Sequence, residues 1–225
     1  MNIDIKYGPG SSAAQVTLEP GEHFTAEGGS MISMSGDMKI ETSTHKREQR
    51  GLRKALKRML SGEGFFMNHY TAGDKGGEVW LATALAGDMM AYDLKGEKLI
   101  VQSGSYVASS PDIEIDFNWQ GLKLFAGESM FWLNLNGTGK VIINSYGAIY
   151  PVEVDGEYIV DTGHIVAFQD SLSFKVTKAG SLLSAILGGE GFVCKFSGKG
   201  TVYCQSHNPT AFGKVLGPKL KPRKG

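Results

Sequence analysis

Short runs of β-branched and aromatic residues, bounded by Gly, Asp, Asn and Ser, recur along most of the chain. MKIET (38–42), EVWLA (78–82), KLIVQ (98–102), IEIDF (113–117), KVIIN (140–144), EYIV (157–160), HIVAF (164–168) and TVYC (201–204) are all of this kind. Runs of this length and composition suit a pleated, half-buried surface, and each predicts a strand. Two stretches break the pattern with a 3.6-residue period. In residues 47–60, Leu52, Ala55, Leu56, Met59 and Leu60 share one helical face, and Arg50, Arg53, Lys54, Lys57 and Arg58 share the other. AGSLLSAILGG (179–189) predicts a shorter apolar helix, and NWQGLKLFAG (118–127) at the matching place between them predicts a turn of helix at most.

The pattern also repeats. GEHFTAEGGSMISMSGDMKIET (21–42) aligns without gaps on GEKLIVQSGSYVASSPDIEIDF (96–117), and a third copy starts at Gly156-Glu157, one residue shorter before Gly163. GEGFF (62–66), GESMF (127–131) and GEGFV (189–193) follow the copies in turn. Hairpin turns are predicted beyond these motifs at GDKGG (73–77), NGTG (136–139) and SGKG (197–200). AYDLKGE (91–97) and PVEVDGE (151–157) then lead into the next Gly-Glu, and QVTLEPGE (15–22) supplies the match for the first copy. The expected architecture is therefore all-β: one globular unit of three β-sandwich repeats, about 21–95, 96–155 and 156–208, with two short helices. Residues 1–20 are expected to dock beside the last copy, closing the units in a pseudo-threefold ring that leaves no exposed sheet edge.

Composition adds a compartment and a charge map. The 225 residues hold 31 Gly and 7 Pro without a low-complexity tract, as befits a folded chain with many turns. MNIDIKYGPG is not a signal peptide and no apolar run reaches the length of a membrane span, so the expectation is a soluble cytoplasmic protein with Cys194 and Cys204 as free thiols. Net charge is zero but uneven: residues 46–58 carry seven Lys/Arg against one Glu, and 214–225 carry five more and no acid. An acidic body thus bears two basic appendages, the second read as a flexible tail.

The candidate chemistry is sparse. Glu63, Glu128 and Glu190 recur in the three glycine-flanked motifs, and a threefold arrangement could gather them into a carboxylate cluster with Asp161 and His164. The plainer reading makes each glutamate an exposed strand entry after a helix or turn stop. Asp161-Thr162-Gly163 resembles the aspartic-protease triplet, but the aligned positions read Glu27-Gly28-Gly29 and Gln102-Ser103-Gly104, so only the turn glycine is common. The five histidines and two cysteines lack metal-ligand spacing, and no nucleophile elbow, phosphate loop or dinucleotide fingerprint occurs. Neither a catalytic residue nor a cofactor is expected. The basic face of 47–60 reads first as the solvated side of a packed helix, and otherwise as a surface for anionic membrane or nucleic acid.

LSGEGFF, INSYGAIYPVEV, VDTGHIVAFQDSLSF and GGEGFVCKFSGKGTVYCQSHNP together resemble the altered-inheritance-of-mitochondria family, over nearly the whole chain. That resemblance implies a fold similar to the tryptophan RNA-binding attenuation protein, with β-sandwich units like a short double-stranded β-helix in more than one copy. It brings no established catalytic residues, and the chain departs from the family pattern at His207, where an arginine is expected. Mitochondrial members are implicated in inner-membrane organisation and carry targeting segments absent here. The function expected is a non-enzymatic interaction or scaffold protein with a protein or anionic-membrane partner. Nucleic-acid binding through 47–60 and the basic tail is a second possibility, and a small-ligand pocket between β units a third. Homo-oligomerisation is compatible with each.

Overall fold

The structure, a computed structural model, describes residues 1–44, 66–116, 132–178 and 192–220. Those residues are predominantly β. In chain order the strands are β1 (Asn2–Lys6), β2 (Ala13–Leu18), β3 (His23–Glu27), β4 (Met31–Met34), β5 (Lys39–Thr44), β6 (Phe66–Thr71), β7 (Gly77–Leu81), β8 (Met89–Gln102), β9 (Tyr106–Ser109), β10 (Ile113–Asp116), β11 (Trp132–Asn144), β12 (Ile149–Asp161), β13 (Ile165–Gln169), β14 (Ser173–Lys178) and β15 (Phe192–Gln205). One short helix, α1 (Pro209–Leu216), follows, its N-terminus capped by Asn208 Oδ1 accepting from the amides of Thr210 (2.9 Å) and Ala211 (3.2 Å). The basic segment begins inside this helix at Lys214. The predicted helices at 47–60 and 179–189 and the stretch 118–127 lie outside the described residues.

Two antiparallel sheets are formed. The smaller runs β1-β2-β7-β4, and the larger runs β12-β15-β13-β8-β11-β9-β3-β6-β5, with β10 added on β11 and β14 on β15. Both sheets are open among the described strands, which corrects the expected closed ring. Residues 13–18, expected to complete the third copy, are hydrogen-bonded by β1 on one side and β7 on the other. The side chains explain that position. Ala14, Val16 and Leu18 alternate into a core shared with Phe24, Tyr70, Val79 and Leu81, leaving Gln15 and Thr17 outward.

None of the predicted hairpins forms, and the reason is local. Residues 136–139 and 197–200 lie inside the long strands β11 and β15, and 73–77 joins β6 to β7, which belong to different sheets and do not pair with each other. Gly137 shows why. Its φ of +131° coincides with a register shift between Asn136 and Thr138 opposite β8, and a Cβ there would stand 2.1 Å from the Asp112 carbonyl. The glycine bends the strand and lets a neighbouring backbone pass close by.

The buried apolar residues fall into three clusters. The first lies under the small sheet, the second is centred on Leu99, Leu133, Val141 and Val166, and the third on Phe168, Phe196, Val202 and Cys204. β8 contributes to all three, through Met89, Leu99 and Ile100 respectively. Strands that feed more than one core hold the sheet segments in fixed relation.

Candidate functional site

Three short turns follow β3, β8 and β12, and each closes on its own polar residue. At 27–30 the Ser30 hydroxyl donates to the Glu27 carbonyl at 2.7 Å. At 102–105 the Ser105 hydroxyl donates to Gln102 Oε1 at 3.3 Å. At 161–164 the Gly163 amide donates to Asp161 Oδ1 at 2.8 Å. Asp161 is thus a turn-forming acceptor, the local side-chain bond that Asp is suited to make. His164 is engaged similarly, its Nδ1 donating to the Gln205 carbonyl at 2.8 Å. Gln205 completes this framework, donating through Nε2 to the Gly163 carbonyl (2.9 Å) and accepting at Oε1 from the Tyr146 amide (2.8 Å). Asp161 and His164 share one turn, and each is bound to backbone. Glu63, Glu128 and Glu190, and the basic residues Arg50, Arg53, Lys54, Lys57 and Arg58, lie outside the described residues.

Between the first two turns lies a cavity of about 500 Å³, walled by Glu27, Ser105, Asn144, Tyr146 and Gln205 among others. Asn144, its amide nitrogen toward the second turn, donates to the carbonyls of Ser105 (3.1 Å) and Gly104 (3.2 Å). Glu27 is half-buried in the wall, and burial pushes its carboxyl up to about 7. Burial also raises the Tyr106 phenol, which sits 2.9 Å from Ser109 Oγ, and the Glu27 charge adds to that rise. A carboxyl titrating near neutrality in a polar cavity can donate a hydrogen bond or bind a basic group as conditions change. Sequence reasoning placed Glu27 only as the counterpart of Asp161. The aligned triplets were the available signal, but they carried no information on burial. Among the described residues, no group of three or more His, Cys, Asp or Glu is placed to hold a metal ion, and no helix is long and apolar enough to cross a membrane.

A second feature lies on the surface. β4, at one end of the small sheet, exposes Met31, Ile32 and Met34, and β12, at one end of the large sheet, exposes Tyr150, Tyr158 and Ile159. Helix α1 adds Phe212, Val215 and Leu216. Large apolar side chains grouped on open strands differ from singly scattered ones, and such groups mark interaction sites.

Comparison with known proteins agrees with this all-β architecture. An uncharacterised protein of Streptococcus pyogenes serotype M6 is 27% identical over 210 residues, 90% of this chain and 84% of that protein. The crystal structure of a Streptococcus pyogenes protein, from a structural genomics consortium, superposes with a TM-score of 0.80 at 25% identity, covering 97% of this chain and 99% of that one. The family model described as "Mitochondrial biogenesis AIM24" matches residues 3–207, and the chain belongs to that family.

Proposed function

We propose that this chain is a non-enzymatic interaction protein, built from three copies of one β unit and working through the strand edges at the two ends of the series. The observation that carries the reading is the apolar dressing of those edges, Met31, Ile32 and Met34 on β4 and Tyr158 and Ile159 on β12. Soluble chains usually blunt an open edge with charge, proline or a cover, and an apolar edge is suited to pairing with a further strand. The triplication draws support from local irregularities. A register shift passes over Ile32 on β4, Val107 on β9 and Val166 on β13, the residues that the sequence alignment places at one position. Asp161 and His164, bound into a turn, suit architecture better than acid–base work.

The test is recovery of the tagged chain from its source cells, beside flotation with anionic vesicles. A partner in equimolar amount, lost from Ile32→Glu and Ile159→Glu variants of unchanged fold, is the expected result. Blank recovery together with blank flotation would overturn the reading.

A second reading rests on the Glu27 cavity, which has the size and mixed lining of a small-ligand pocket. It expects a compound that raises the melting temperature of the wild type and not of Glu27→Gln. A compound series in which both proteins respond alike would end it.

A further inference from the structure

We infer, on the small-ligand reading above, that the cavity beside Glu27 takes a primary amine, its ammonium group held by the Glu27 carboxylate and the Gly29 carbonyl.

Strand register identifies what this cavity lacks. Three strands end alike against a bulged partner. Leu81 on β7 faces Met31, Ile143 on β11 faces Tyr106, and Cys204 on β15 faces Ile165. The residue that follows is Ala82 in the first, Asn144 in the second and Gln205 in the third. Asn144 donates its amide to the carbonyls of Gly104 and Ser105, and Gln205 donates to the carbonyl of Gly163. Each amide thus ties the end of its strand to the turn before the partner strand. Ala82 offers only a methyl group at that place. Its backbone amide reaches the Ser30 carbonyl at 2.7 Å. Among the described residues, no side chain donates to the Gly29 carbonyl, the counterpart of Gly104 and Gly163.

The turn departs from its counterparts as well. The Gln102 side chain accepts from the Ser105 hydroxyl, and the Asp161 carboxylate accepts from the Gly163 amide. At the first turn the Ser30 hydroxyl goes to the backbone carbonyl of Glu27 instead. That leaves the Glu27 carboxylate without a hydrogen bond or ion pair among the described residues, and burial is the one cause of its raised proton affinity.

Both departures open onto one space. Glu27, Gly29 and Ala82 all line the cavity of about 500 Å³, which has room for a small organic molecule. No Lys, Arg or His is among its described lining residues. An anion would therefore meet a carboxylate and no cation. A neutral hydroxyl could serve the carbonyl but would leave the carboxylate uncompensated. An ammonium supplies both missing partners, since it carries three donors and the charge that a buried carboxylate lacks. Leu85 and Pro209 give the carbon body of such a ligand an apolar wall.

Titration of the full chain with butylamine, 1-butanol and butyrate compares a cation, a neutral molecule and an anion on one carbon body. At about pH 8 Glu27 is ionised, and backbone amide NMR shifts report where each probe binds. Butylamine should shift Gly29, Ala82 and Ser105 saturably. 1-Butanol should bind at least about tenfold more weakly, and butyrate should leave these residues unmoved. Lysine methylamide, acetylated at its α-nitrogen, carries the same ammonium on a peptide. Binding of either amine supports the site, and the tighter one tells a free amine from a lysine side chain of a partner.

Glu27→Gln should weaken butylamine by at least about tenfold. Ala82→Asn should place in the first turn the amide that the other two possess, and so abolish binding while melting no lower than the wild type. The wild-type titration decides the matter even where a variant fails to fold. Equal affinity for butylamine and 1-butanol would overturn the inference, as would undiminished binding to a folded Ala82→Asn. If 1-butanol or butyrate occupies the cavity and neither amine does, the small-ligand reading survives and only the amine fails. Probes that leave Gly29 and Ala82 unmoved throughout would end both.

Discussion

A carboxyl group that loses water without gaining a cation keeps its proton to higher pH, and Glu27 is in that position. Its folded value of about 7 stands above its ordinary 4.5, so between those limits the folded chain binds more protons than the unfolded one. Stability therefore falls as pH rises through that window and levels off above it. The whole effect is at most about 3 kcal/mol, and solvent at the cavity mouth reduces it. Chemical denaturation of wild type and Glu27→Gln from pH 4 to pH 8 checks this. The variant should lack the decline contributed by Glu27 and be the more stable protein at pH 8; parallel profiles would show that Glu27 is solvated. At this scale the sequence was only partly legible. Asp161 and His164 attracted notice because Asp-Thr-Gly and a nearby imidazole look like chemistry, yet their hydrogen bonds run to backbone. Glu27 looked ordinary because its environment is assembled by residues as distant as Asn144 and Gln205.

Strands were the most readable elements, because alternation and β-branched composition record a local requirement that each residue states for itself. Turns were read less well. Gly137 and Gly139 promised a hairpin at 136–139, but β11 continues through them, since a positive-φ glycine serves a bulge as readily as a reversal. Partner choice was the least legible of all. Analogy with the strands that precede each Gly-Glu points β2 to the third copy, yet its hydrogen bonds run to β1 and β7. A mutation tests that assignment at the scale of the element. Val16 is completely buried, in register with Val79 on β7. Val16→Ala should cost about 2 kcal/mol, and amide exchange should quicken in β7, at Val79 and Leu81, before it does in β15. Earlier loss of protection at Val202 and Cys204 would place the strand's energetic partner in the third cluster.

For the whole molecule, likeness among three segments indicates that the same joint can recur, but not that the recurrences sum to a full turn. Closure depends on the angle at each joint, a property that no residue encodes alone, and among the described strands the sheets are open. What connects the segments is the length of the strands. β8 supplies Met89, Leu99 and Ile100 to three different clusters, and β11 supplies Ile142, Leu133 and Trp132 to the same three, so one core cannot open far without disturbing the next. The two cysteines report on this coupling. Cys194 and Cys204 both lie in β15 within the third cluster, and burial pushes their thiols up to about 12 and about 11. Thiolate is the reacting form, so at pH 8 both should react with a disulfide reagent only after opening. If the clusters unfold together, the free energy from thiol labelling should equal the global value from tryptophan fluorescence, to which Trp80 in the small sheet contributes. A labelling value lower by more than about 1 kcal/mol would show that the third cluster opens by itself. Weakness there would fall on the strand that exposes Tyr158 and Ile159.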